Sequence, residues 1–341
     1  MLESARQWCL FLLKRLGFLC ISLIGVSLVT FVVTHQIGDP VYLLVGPKHT
    51  QEMLDNMVRE LGLDQPLYAQ YCRYISRLAQ GDLGVSRYTF SPVLSDIRLR
   101  LPATLELSTY ALLLGVLWAV PLGLIAGRHK KSWAAKFADL SARAGASMPA
   151  FWLGILFIFV FYAELHWLPA PLGRIGRGFE VSPVTGWYTI DSLLAGNWSA
   201  FGSSVRHLVL PALTLAFTTS PSILLITRNT MAEVMKSDYI RTAKSFGMPP
   251  QTISRYAVRN LLVPVSTMIA MTYGYLLSGT VLVEVVFTWP GLGFYAVEAM
   301  NHSDYEPIMA VVLLSAGFYL LVYVLSDILS AIIDPRIRVG G

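Results

Sequence analysis

Six stretches of about twenty residues contain no Asp, Glu, Lys, Arg or His: residues 16–34, 107–127, 144–163, 208–227, 260–283 and 307–326. As a helix, each extends roughly 30 Å, the thickness of a bilayer's hydrocarbon core. Among 341 residues, 55% are hydrophobic and only 14% are charged; soluble domains carry roughly 25% charged residues. The expected fold class is all-α integral membrane, with six transmembrane helices. Lys14 and Arg15 precede the first run as they would in a signal peptide. That run exceeds a usual h-region and no small-residue cleavage pattern closes it, so it reads as a retained anchor helix.

Charge placement orients the bundle. The connection 128–143 carries Arg128, Lys130, Lys131, Lys136 and Arg143, whereas 284–306 has no Lys or Arg. The positive-inside rule puts the first in the cytoplasm and the second outside. Both termini and the stretch 228–259 then fall in the cytoplasm, with Arg336 and Arg338 in agreement. The net charge of +5 is therefore topological, and nucleic-acid binding is not indicated. Cys9, Cys20 and Cys72 have neither the compartment nor the spacing for a disulfide framework or a metal site.

The outer connection 37–101 is the largest soluble piece. Met53, Met57 and Leu61 recur at helical spacing, as do Leu67, Tyr71, Tyr74 and Leu78, with Gly62, Pro66 and Gly81–Gly84 as punctuation. Two or three short amphipathic helices are expected there, as a lid on the bundle or as a docking site. The second outer connection, 164–207, reads as ordered loop whose Trp167, Trp187 and Trp198 suit headgroup level. Pro121, Pro149, Pro211, Pro221 and Pro264 fall within spans, where neighbouring helices and hydroxyls can satisfy the carbonyls they free. Gly274, Ser278 and Gly279 permit a close helix approach, or form part of a permeation wall.

Uncharged spans argue against an ion-coupled secondary carrier, which retains ionisable groups near the midplane. Glu106, Glu164 and Glu284 are expected at span ends within reach of water. Neither an H-E-x-x-H pair nor a nucleophile–base constellation lies in the spans, so an enzyme is not expected. The chain has no phosphate-binding G-x-x-x-x-G-K-[ST] loop; Gly46-Pro47-Lys48 is the nearest string. Uphill transport would draw its energy from another chain. His166, His207 and His302 sit on separate segments and do not make a metal site, and no cofactor is implied.

One cytoplasmic stretch stands apart. Met231, Val234, Met235, Tyr239, Thr242 and Phe246 share one face of a helical projection. Gly247 suits a left-handed cap, and Pro249 and Pro250 forbid continuation. A second helix can open at Pro250 with Ile253, Tyr256, Ala257 and Leu261 on one side, leaving Arg241, Lys244, Arg255 and Arg259 for solvent or headgroups. By pattern alone this helix–turn–helix is either a gripped protrusion or a basic loop that sets topology.

Asp238-Tyr239-Ile240-Arg241-Thr242-Ala243-Lys244-Ser245-Phe246-Gly247 resembles the coupling loop of type I ABC importer permeases, in the peptide/nickel/opine branch. Ser245 and Phe246 depart from the branch's usual Ala-Lys, and Val263-Pro264 stands where the pattern has Leu-Pro. The likeness continues through Gly38-Asp39-Pro40, "LGLDQPLYAQYCRYI", "GDLGVS", "LPATLEL", "SMPAFWLGILF", "FTWPGLG" and the terminal "DPRIR". The long outer connection is similar to that of dipeptide and nickel permease B subunits.

The resemblance implies the type I permease fold and a division into an N-terminal transmembrane helix (1–36), an extracytoplasmic amphipathic region (37–101), a five-helix core (102–333) with coupling loop 229–262, and a cytoplasmic tail (334–341). It implies a homologous second permease, two ABC ATPases that bind the ATP, and an extracytoplasmic solute-binding protein. The ATPase-coupling residues would be Asp238, Tyr239, Ile240, Arg241, Thr242, Ala243, Lys244, Phe246 and Gly247. The solute would be a short peptide, nickel or another metal chelate, or an opine-like compound. A secondary carrier without ATPase partners is the reading from another class.

Overall fold

The computed structural model describes residues 2–37, 59 and 64–333. Twelve α-helices are described there: α1 (Leu2–Ile37), α2 (Leu67–Ala79), α3 (Val93–Arg128), α4 (Trp133–Ser147), α5 (Ala150–Phe157), α6 (Tyr188–Leu194), α7 (Trp198–Val234), α8 (Asp238–Ser245), α9 (Pro250–Gly279), α10 (Val281–Val286), α11 (Leu292–Asn301) and α12 (Tyr305–Ile333). A π-helical turn, Ile158–Glu164, prolongs α5. The expected helix through Met53, Met57 and Leu61, the Gly38-Asp39-Pro40 and Gly46-Pro47-Lys48 strings and the "DPRIR" tail lie outside the described residues.

Five helices (residues 10–33 of α1, and α3, α7, α9 and α12) are long and apolar enough to cross a membrane. A sixth crossing exists if the bent pair around Pro149 counts as one span. Here the expected helix 144–163 is corrected. Residues 133–145 and 150–164 meet at 106°. Pro149 lacks an N–H, and its ring drives Met148 out of the helical region to φ −101°, ψ 124°. The apolar run through residue 283 also exceeds its helix: α9 stops at Gly279, and Val281–Val283 open α10.

The centre of the bundle is the α3–α7 pair, the most extensive helix contact among the described residues. Gly115, Gly123 and Gly127 line the α3 side of it. A β-carbon at Gly123 would stand 2.8 Å from Thr227 Cβ and 3.0 Å from the Leu224 carbonyl oxygen. Van der Waals packing drives helix association in lipid, so missing side chains allow the backbones this approach. Ala119, Ala126, Ala135, Ala138, Ile223 and Leu224 fill the core beside the seam.

Polar bonds join the other helices. Thr109 and Tyr273 hydroxyls lie 2.9 Å apart between α3 and α9, and Thr267 and Ser330 hydroxyls 3.1 Å apart between α9 and α12. Arg228 of α7 grips Asp139 of α4, its second contact at 3.3 Å. Gly274 packs on the Tyr319 ring, which supports the close-approach reading for that residue. Helix α1 lies at the periphery and leans on α12, with Arg15 at 2.9 Å from Asp327. Helix α2 docks on α1: the Tyr71 and Ser27 hydroxyls are 2.9 Å apart, and Phe31 meets both Tyr71 and Tyr74.

Candidate coupling surface and the polar network at the opposite end

Helix α8 is a two-turn projection between α7 and α9. Ser237 precedes it in extended conformation, with Asp238 in its first turn and Lys244 in its last, where each charge opposes the helix dipole. The Met248 N–H donates to the Ala243 carbonyl at 3.1 Å and the Gly247 N–H to the Lys244 carbonyl at 3.0 Å. These two bonds form a Schellman cap, which places Gly247 at φ +69°. Pro249 then precedes α9, with Pro250 as its first residue. The expected cap and restart are both present.

The apolar face differs from the sequence reading. A continuous helix through Phe246 would align Tyr239, Thr242 and Phe246 with Met231. Instead α7 ends at Val234, and the Ser237 hydroxyl donates to the Val234 carbonyl at 2.6 Å. The chain restarts as α8 on a different azimuth, so Ile240 and Ala243 point inward. They join Met231, Ile253, Ala257, Leu261 and Val265 in one cluster. Ile240 is 0% exposed, whereas Phe246 is 78% exposed and Tyr239 and Thr242 are also outside. Tyr256 likewise lies outside the α9 seat. Asp238 and Arg241 form an exposed pair at 3.4 Å. Of the nine expected coupling residues, two anchor α8, Gly247 turns the chain, and the other six are exposed.

At the other end of the bundle lies a polar network that pattern reasoning missed. Glu106 and Glu284, expected within reach of water, are buried; Glu164 is exposed as expected. Glu106 meets Arg174 at 2.5 Å and accepts from the Thr189 N–H at 2.9 Å and hydroxyl at 2.7 Å. The Arg174 guanidinium also covers the Tyr188 ring at 3.9 Å and donates to the Gly186 carbonyl at 2.6 Å. Glu284 accepts from the Thr104 hydroxyl at 2.7 Å, the Thr280 hydroxyl at 3.0 Å and the Phe294 N–H at 3.0 Å. Trp289 Nε1 donates to the Ala103 carbonyl at 2.8 Å. The strings "LPATLEL" and "FTWPGLG" are thus two sides of one joint between α3 and α10–α11. Their clustered Thr, Glu and Gly were the available signal.

Two more carboxylates pin loops. Asp304 accepts from the Ser86 hydroxyl at 2.7 Å and the Arg87 N–H at 2.6 Å. Asp191 accepts from the Thr185 N–H at 2.8 Å and the Gly186 N–H at 2.9 Å. Burial pushes the Asp191 carboxyl up, but the bonds from Thr185, Val184 and Gly186 win and hold it below its ordinary range. Trp167 and Trp198 are exposed, while Trp187 is half-buried near Tyr110. His166, His207 and His302 each lie near a local backbone carbonyl, and among the described residues no group of three or more His, Cys, Asp or Glu could hold a metal ion.

Residues 119–339, from the last third of α3 onward, match the family described as "Binding-protein-dependent transport system inner membrane component". The chain belongs to this family. Residues 9–108 match the companion N-terminal family of the same transport systems. The permease is 41% identical to the probable D,D-dipeptide transport system permease protein DdpB of Escherichia coli K12 over 331 residues, 96% of this chain and 97% of that protein. It is 37% identical to the dipeptide transport system permease protein DppB of the same strain, covering 96% and 98%. The glutathione transport system permease protein GsiC of Escherichia coli O6:H1 is 34% identical, again over 96% and 98%. This is a multi-pass inner-membrane permease of the peptide/nickel branch of ABC importers, a transport subunit rather than an enzyme.

Proposed function

We propose that this permease forms half of the pathway of an ATP-driven importer for short peptides, and that α8 with its Gly247 turn couples it to cytoplasmic ATPases. End-to-end similarity to dipeptide, D,D-dipeptide and glutathione permeases favours a peptide over nickel or a metal chelate as the solute. The observation that carries the coupling role is the division of α8. Ile240 and Ala243 root it in the bundle, while Tyr239, Phe246 and Met248 stand in solvent beside Asp238, Arg241 and Lys244.

A rigidly seated helix transmits a push that a loose loop would absorb. Closure of the ATPases on ATP would move α8, and α9 shares its apolar seat. The partners are a second permease, two ATPases and an extracytoplasmic solute-binding protein, with the 37–101 region outside and α8 inside. The same reading divides the chain into the anchor 1–36, the region 37–101, the core 102–333 with its loop 229–262, and the tail 334–341.

The test is purification of the tagged chain in mild detergent, with co-eluting proteins identified by mass spectrometry and ATP-dependent peptide uptake measured after reconstitution. A second permease, ATPases and uptake of a short peptide are expected. A chain that elutes alone, under conditions that preserve a control ABC complex, would overturn the reading in favour of a carrier.

A further inference from the structure

A groove of about 280 Å³ runs between α1 and α12, wholly apolar in its lining; Leu23, Leu83, Ala310, Leu314, Gly317 and Leu321 form most of its wall. From Ala310 to Leu321 the groove descends about 16 Å along α12 at 1.5 Å per residue. That is close to the depth of one leaflet, about 15 Å. The groove starts at the α2 end of the bundle, one turn below Glu306.

A second cavity opens at that upper end and shares Leu83 and Ala310 with the groove. It is small, about 30 Å³, and mixed in lining: Tyr74, Arg77, Asp82 and Glu306 face Leu78, Leu83, Met309 and Ala310. Arg77 lies 2.8 Å from Asp82 and 3.8 Å from Glu306, so one guanidinium faces two carboxylates. Arg87 and Asp304, one charge of each sign, also face Glu306 and leave that formal count unchanged. The Tyr74 hydroxyl is buried and has no hydrogen-bond partner among the described residues. Burial, followed by the nearby Tyr71, pushes its phenol up to about 12, so it remains a donor under working conditions. An unpaired buried hydroxyl costs free energy and points to a missing acceptor.

We propose that the groove and the cavity above it are one phospholipid site. One acyl chain lies along α12, a phosphate or ester oxygen accepts from the Tyr74 hydroxyl and Arg77, and a primary-ammonium headgroup rests over Asp82 and Glu306. The charge decides among lipids: a net negative mouth repels an anionic headgroup and accepts an ammonium, and a trimethylated amine lacks the N–H groups to donate. An apolar helix from another subunit could fill the groove, but it would bring neither an acceptor for Tyr74 nor a positive charge for the carboxylates.

The experiment is native mass spectrometry of the full-length protein after delipidation, with phosphatidylethanolamine, phosphatidylcholine and phosphatidylglycerol of identical chains added in turn. Phosphatidylethanolamine is expected to be retained about fivefold over the other two, as a partly exposed charge contact provides. Gly317→Trp, whose side chain would fill the groove toward Leu23 (3.8 Å from an added β-carbon), should lose retention of all three. Leu314→Trp provides the same test should the glycine variant fail to elute as a single species. Asp82→Asn should keep binding but narrow the preference. Equal retention of the three lipids by the wild type, or wild-type retention by both tryptophan variants, would overturn the proposal. So would cross-linking of Leu314→Cys to a second permease in a complex free of phosphatidylethanolamine.

Discussion

The Thr104 hydroxyl donates to the Glu284 carboxylate at 2.7 Å, while the Leu292 N–H donates to that same hydroxyl at 2.8 Å. One threonine near the head of α3 is thereby tied to both sides of the turn between α10 and α11. Glu284 is 0% exposed, so each bond it loses leaves a buried polar group without a partner. Glu284→Ala should destabilise the permease by about 3 kcal/mol or more, against about 1 kcal/mol for Thr104→Ser, which keeps the hydroxyl. Thermal unfolding of the two variants in detergent checks the order; equal midpoints would refute it.

The Arg174–Glu106 pair poses a different question, since its partners are both charged and both buried. Removing one partner of such a pair typically costs about 3–5 kcal/mol, whereas replacing both by apolar groups can be nearly neutral. Arg174→Met should therefore be more damaging than the double variant Arg174→Met with Glu106→Leu. Yields of folded protein by size-exclusion chromatography would show the rescue, and a double variant worse than the single would contradict the buried-pair account. Thr189, which donates to Glu106 twice, sets the limit of the rescue.

Gly123 tests the central seam. An added β-carbon would meet the Thr227 β-carbon and γ-methyl and the Leu224 carbonyl oxygen, and neither the β-carbon nor the carbonyl can swing away. Gly123→Ala should cost about 1–3 kcal/mol and Gly123→Leu should prevent accumulation of folded permease. Gly25, where an added β-carbon meets nothing within 4 Å, is the control and should accept Ala without loss. Comparable yields of Gly123→Leu and Gly25→Ala would remove the seam from the fold's requirements.

Coupling and folding should separate on α8. Tyr239→Ala and Phe246→Ala remove exposed rings and should leave thermal stability within about 0.5 kcal/mol while abolishing ATP-driven uptake. Ile240→Asp places a charge in the apolar seat and should fail on both counts. Gly247→Asp retains a residue type that tolerates the left-handed region, so insertion should survive while transport is lost. Normal uptake by Gly247→Asp would show that α8 does not couple the permease to its ATPases.

Asp82 gives a pH prediction. The hydrogen bond from Arg77, followed by the Gly84 N–H, holds its carboxyl below the ordinary value. Its contribution is therefore present above the ordinary carboxylate range, near pH 4, and is lost as pH falls through the lowered folded value. Both side chains are about half exposed, so solvent screening keeps the effect small. Amide exchange at Gly84, corrected for intrinsic rate, should quicken on acidification into that range, and Asp82→Asn should abolish the dependence.

The membrane class, most of the spans and the cap-and-restart at Gly247–Pro250 were legible in the sequence because each rests on a local rule. Apolar run length, absent charge, a glycine before two prolines and a basic connection need no knowledge of neighbours. The break at Pro149 was also encoded locally, but an unbroken apolar run concealed it: hydropathy is indifferent to whether the chain bends.

Only the tertiary structure decided which face of α8 is buried. Three residues between α7 and α8 reset the helical phase, so the period that aligned Phe246 with Met231 no longer applied. It also decided that Glu106 and Glu284 are interior. A carboxylate at the end of an apolar run looks solvated until the fold brings Arg174, Thr189, Thr104 and the backbone of residues 293–294 to it. Those partners come from 68, 83 and 180 residues away in the case of the three side chains. Burying a charge is unfavourable until its hydrogen bonds are supplied, and only the assembled bundle supplies them.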